Sequence, residues 1–252
     1  MHEERMIELL VELHDGLPRL GPGNTGCTLR ALAMCEHLPA APDVLDVGCG
    51  TGAQTLDLAS ATDGQITAAD LFASFLTQLE ANARQQGLAG RIKTRAADMT
   101  ELPFPDASFD LIWSEGAAYI MGFDRALAAW RALLRPHGYL VVSEVCWFKL
   151  SPPAELQEFW DQNYPAIRNV DDNLAAAADQ GWQAVGNFHV PVSAWTNDYY
   201  GLLRERLPIF RAANAGDSEA QEVADMTEYE MSLMDRFADW YGYEFFVFRR
   251  AP

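Results

Sequence analysis

The segment VLDVGCGTG, Val44 to Gly52 with Asp43 before it, limits the fold more than any other stretch of this chain. Val44, Leu45 and Val47 are strand formers around Asp46. Gly48, Gly50 and Gly52 follow at alternate positions before Gln54 to Ser60 take up a helical pattern. Glycines belong where a backbone turns tightly and lets a ligand approach its N–H groups. The start of the next helix offers partial positive charge to an anionic group, so the segment reads as a cofactor loop at a strand tip.

Beyond this loop the chain alternates strand and helix, the mark of an α/β, doubly wound sheet with helices on both faces. Strands are expected near Val44 to Val47, Gln65 to Ala69, Ile92 to Ala96, Phe109 to Trp113 and Gly138 to Val145. Helices are expected over Thr28 to His37, Ala53 to Ser60, Ala73 to Gln86 and Asp124 to Leu134. Arg135-Pro136-His137-Gly138 reads as a turn that stops one helix and starts the next strand. Trp182 to Val190 and Tyr243 to Phe248 read as two further strands. The residues between them are largely helical in pattern, from Tyr199 to Arg211 with a break at Pro208, and from Ser218 to Trp240.

Three successive strand-like runs each end in a carboxylate: Asp46, Asp70 in QITAAD, and Asp98 in IKTRAAD. Glycine spacing alone leaves two cofactor classes open, because Gly48, Gly50 and Ala53 also fit the G-x-G-x-x-G/A pattern of dinucleotide-binding proteins. With the acids included, Asp43 to Glu144 resembles the class I S-adenosylmethionine-dependent methyltransferases. DVGCGTG resembles their glycine loop and Asp70 their ribose-binding acid. Asp98-Met99, followed by LPFPDASFDLIWS, resembles their adenine-side loop and fourth strand. The N-terminal LPRLGPGNTGCTLRAL resembles an uncharacterised bacterial subset of the group that acts on small molecules and carries a Gly-Pro-Gly turn after a first helix.

The resemblance implies a single domain over residues 1–252, with a helical cap (1–40), a cofactor core (41–150) and a C-terminal half (151–252). Its sheet would be seven-stranded and mostly parallel, the last strand antiparallel, with a helical insertion over about 193–241 before it. That insertion is expected to act either as a lid or as a packing or homodimer element. S-adenosyl-L-methionine would be the cofactor and a small molecule the methyl acceptor. Asp70 can accept both ribose hydroxyls in charge-assisted bonds. Gly48 and Gly50 would let the backbone approach the cofactor, and Asp46 would hold the loop or take the ammonium. Asp98 would meet the adenine amino group, the Met99 N–H a ring nitrogen, and Leu71 the face of the base.

Ser114, Glu115, Gly116 and Tyr119 would then face the sulfonium and the acceptor. Glu115 is a candidate cation stabiliser or general base, with a helix cap as its alternative role. Tyr119 and His189 complete the set of catalytic candidates. Trp147, Trp160, Trp195, Tyr199 and Tyr200 are expected near the crevice mouth, and Asn24 or Thr25 at the cap of the helix that precedes the first strand. Two alternatives stay open. An NAD-dependent oxidoreductase suits Gly48, Gly50, Ala53 and Asp70, but not Asp46 and Asp98-Met99; a non-catalytic S-adenosylmethionine-binding protein suits all of them.

Charge narrows the partners. Lys and Arg number 18 against 36 Asp and Glu, a formal net charge of -18, and this field repels phosphate backbones and anionic lipid. Neither nucleic acid nor membrane is expected as a partner, and a bacterial, cytoplasmic protein is. The opening MHEERMIELLVELHDG is acidic, with Met6, Leu9, Leu10 and Leu13 at helical spacing, unlike a signal peptide. Cys27, Cys35, Cys49 and Cys146 form no C-x-x-C pair and read as reduced and structural. The five histidines are scattered, so no metal site is expected.

Overall fold

The computed structural model describes residues 2–251. Five strands, β1 (Asp43–Val47), β2 (Gln65–Asp70), β3 (Ile92–Ala96), β4 (Phe109–Ser114) and β5 (Leu134–Trp147), run parallel in the order β3-β2-β1-β4-β5. The short β6 (Arg168–Asn169) pairs with the end of β5 and was not foreseen from the sequence. β8 (Tyr241–Arg250) lies antiparallel between β5 and β7 (Trp182–His189), which forms the sheet edge. β1 is buried over its last four residues, as a central parallel strand covered on both faces must be.

Helices α1 (Glu3–His14), α2 (Thr25–Ala33), α3 (Ala53–Ala61), α4 (Ala73–Gln85), α5 (Phe123–Arg131), α6 (Ala154–Asn163), α7 (Val170–Asp179), α8 (Val192–Thr196), α9 (Tyr200–Ala213) and α10 (Ser218–Phe237) complete the chain. Alternate side chains of the strands feed two cores. Val44, Ile66, Leu111 and Val141 pack with α2, α3, α4 and the helices from both chain ends. Leu45, Ile112, Leu140 and Phe246 pack with α5 and α7.

Several boundaries differ from the sequence reading. α2 starts three residues before the expected Thr28, because Asn24 caps it: its side chain accepts a hydrogen bond from the Cys27 N–H. Arg135 to Gly138 do not separate helix from strand. They form a bulge within β5, where the register jumps from Phe109 opposite Leu134 to Leu111 opposite Tyr139. His137 adopts φ 66° there. α9 runs through Pro208 without ending. β8 extends beyond both ends of Tyr243 to Phe248 because it pairs with long stretches of two neighbours.

Candidate active site

The glycine loop is fastened to the tip of β2. The Gly48 and Cys49 N–H groups donate to the Ala69 carbonyl, and the Gly50 N–H donates to Asp70 Oδ2 at 2.8 Å. Gly48 sits at φ 70°, and a Cβ there would lie 2.4 Å from the Ala117 Cβ, so only glycine fits. The loop's outer side is latched by the Thr51 hydroxyl, which donates to the Pro18 carbonyl at 3.0 Å. This bond sets the segment between α1 and α2 directly against the glycines.

Asp46 lies beneath the loop, fully buried, and accepts hydrogen bonds from Thr55 Oγ1 (2.5 Å) and Gln54 Nε2 (3.3 Å). Burial raises its carboxyl to about 7. It ties α3 to β1 and is not part of the cavity wall. Asp70 is on the wall, with Oδ1 accepting from the Phe72 N–H at 2.9 Å; burial raises its pKa against these backbone bonds. Leu71 beside it is 62% exposed. Asp98 Oδ1 is engaged by the Thr100 N–H and hydroxyl, both at 2.8 Å, and these bonds lower its pKa. Met99 also lines the cavity, and its carbonyl accepts from Trp130 Nε1.

Glu115 is held by three hydrogen bonds. Oε2 accepts from Arg19 at 2.7 Å, and Oε1 accepts from Thr28 Oγ1 and Trp113 Nε1, each at 2.8 Å. Its side chain is only 3% exposed, so the Arg19 charge is poorly screened. Three donors, one of them the Arg19 cation, occupy its two oxygens, and no helix among the described residues is capped by it. Gly116 approaches Tyr243, and its N–H donates to Ser143 Oγ. Ser114 is buried away from the cavity, its Oγ without a hydrogen-bond partner among the described residues. His189 is also off the wall: it pairs with Glu244 and stacks on Phe148 at 3.9 Å.

These parts border one cavity of about 780 Å³, within the range of small-molecule sites. Gly48 to Thr51, Asp70, Leu71, Asp98 and Met99 form one end. The rest is walled by α1, α6 and α10 through residues such as Leu10, Phe159 and Met226, together with Tyr119, Trp160, Trp195 and Tyr199. Trp147 and Tyr200, expected at the mouth, are not on the wall. Among the polar wall residues that escaped the sequence reading are His14, Arg19 and Glu230. Arg19 had a signal, as a lone cation in a glycine-rich loop of an acidic chain. Among the described residues no group of three His, Cys, Asp or Glu is placed to hold a metal ion, and no helix is long and apolar enough to cross a membrane.

Residues 44–138 match the family model described as a methyltransferase domain. The ubiquinone/menaquinone biosynthesis C-methyltransferase UbiE of Psychromonas ingrahamii is 33% identical over 132 residues, 51% of this chain and 53% of that protein. The chain thus spans about half the length of this curated relative. A methyltransferase from Geobacter sulfurreducens, solved with S-adenosyl-L-homocysteine, superposes with a TM-score of 0.78 at 20% identity, covering 97% of each chain. A [4+2]-cyclase, SpnF, superposes with a TM-score of 0.74 at 23% identity, over 98% of this chain and 92% of its own. Residues 44–138 thus carry a methyltransferase domain, within a fold shared with S-adenosylmethionine-dependent methyltransferases.

Proposed function

We propose that this protein binds S-adenosyl-L-methionine in the glycine-loop end of the cavity and transfers its methyl group to a small, largely apolar molecule held in the other end. The observation that carries this reading is one continuous cavity bordered by Gly50, Asp70 and Asp98 on one side and by apolar helix faces on the other. Asp70 keeps lone pairs for the ribose hydroxyls beyond those used by Gly50 and Phe72. Arg19 and the start of α3 bring positive charge to the cofactor's carboxylate. The cofactor supplies an electrophilic methyl group when bound; the chain's residues orient the acceptor, and α1 and α10 exclude water.

The sheet itself speaks against the dinucleotide alternative. Doubly wound dinucleotide domains continue the parallel order past the fifth strand, whereas here antiparallel β8 takes that place. Isothermal titration should show binding of S-adenosylmethionine and S-adenosylhomocysteine and none of NADH. Asp70→Asn should weaken that binding by about 1.5–3 kcal/mol, the usual worth of a hydrogen bond to a charged group. Binding of NADH alone overturns the reading. A second reading is favoured by the cyclase likeness, since one fold hosts several chemistries. It is supported if a metabolite extract with methyl-labelled cofactor yields no labelled product and no S-adenosylhomocysteine.

A further inference from the structure

The polar groups on the acceptor side of the cavity include a histidine whose tautomer the geometry fixes. His14 Nδ1 lies 2.7 Å from the Leu10 carbonyl and Nε2 lies 2.9 Å from the Tyr199 hydroxyl. A carbonyl only accepts, so Nδ1 carries the proton. Nε2 is then a bare acceptor in the neutral ring, and the Tyr199 hydroxyl donates to it. The two rings are stacked at 5.9 Å with 19° between their planes, which keeps this alignment. Both residues line the cavity. With its proton pointed at His14, the Tyr199 oxygen retains lone pairs for a donor in the chamber.

We propose that the acceptor is an apolar molecule bearing a hydroxyl group, and that Tyr199 takes the hydroxyl proton while passing its own to His14. This rests on the function proposed above and deepens it. As the acceptor oxygen bonds to the methyl carbon, the carbon–sulfur bond breaks and its electron pair goes to sulfur. The oxygen's proton moves to Tyr199 Oη, and the Tyr199 proton moves to His14 Nε2. The products are a methyl ether, neutral S-adenosylhomocysteine and a His14 imidazolium, so charge is conserved.

The site suits each stage of that transfer. Burial lowers the pKa of His14, so the ring is neutral and ready to accept at physiological pH. His14 is also the last residue of α1, where the helix dipole favours the cation once it forms. Of the elements packed on α1, α9 brings Arg206 to the Glu12 carbonyl, and α10 brings Glu230, already holding the Tyr200 hydroxyl. Tyr119 and Tyr243 share the cavity wall with Tyr199, and each is near enough to it to interact electrostatically. Glu115, committed to Arg19, Thr28 and Trp113, does not compete for the proton.

The test uses 4-octylphenol, 1-octanol and octylamine as probe acceptors with methyl-labelled cofactor. Wild-type protein should methylate a hydroxyl probe, with kcat/KM rising with pH along a limb below 6.5. Tyr199→Phe keeps the stacked ring and removes one oxygen; it should lower kcat about 100-fold or more with KM nearly unchanged. His14→Gln should lower kcat similarly and remove the acidic limb. Calorimetric binding of S-adenosylmethionine should be the same in all three proteins. If the cofactor binds but only the amine is methylated, or no hydroxyl probe is, or either variant keeps wild-type turnover, the relay is wrong. If the cofactor fails to bind wild-type protein, the proposed function itself falls.

Discussion

Arg19 and Glu115 bind each other 96 positions apart in a place where water reaches neither easily, with side chains 10% and 3% exposed. Removing one partner of such a pair leaves a stranded charge, which typically costs about 3–5 kcal/mol. Arg19→Met is expected to lose stability on that scale in urea denaturation. The double variant Arg19→Met/Glu115→Gln should recover much of it, since a neutral amide oxygen still accepts from Thr28 and Trp113. At this scale the sequence was legible where backbone geometry demands one residue type, as at Gly48. It was opaque where a side chain's partner lies far along the chain: nothing local to SEGAAY announces that Glu115 is occupied by Arg19.

β5 carries a second hidden carboxylate. Glu144 is 2% exposed, and neither of its oxygens has a hydrogen-bond partner among the described residues. Burial pushes its pKa up to about 8, partly offset by Tyr164 and Arg168. A raised acid favours the folded state while protonated. Its contribution is therefore full below about 4.5, its ordinary value, and is lost as the pH climbs to about 8. Glu144→Gln should escape this loss, so the melting-temperature gap between variant and wild type should widen from pH 5 to pH 8 and then level off. In α9, Pro208 removes one backbone donor from an exposed helix face. Pro208→Ala should raise stability by up to about 3 kcal/mol in denaturant titrations, less whatever chain entropy the proline removed from the unfolded state. Elements were readable where periodicity and punctuation agree, as in α3, α4 and β3. They were misplaced where pairing overrides punctuation: the Arg-Pro-His-Gly stop became a bulge because β4 pairs with β5 at Leu134 before it and again at Tyr139 after it.

Across the whole molecule, the cavity is walled by helices far apart in the chain, α1 and α10 among them. Arg5 of α1 meets Asp217 at the start of α10 at 2.5 Å, and Asn214 after α9 donates to Glu12 of α1 at 2.7 Å. The first is partly buried and the second exposed, so both contacts are of modest worth. The sheet has the same dependence on late residues. β5 pairs over nine positions with β8, whose last residue is Arg250. While the chain is being made, one flank of the longest strand therefore stays bare, Leu140 to Val145 included, until the residues of β8 have been added. Such an open apolar edge invites pairing between neighbouring nascent chains. A chain stopped at residue 240 is accordingly expected to sediment as aggregate where residues 1–252 stay in solution, and coexpressing residues 241–252 as a separate peptide should rescue part of it.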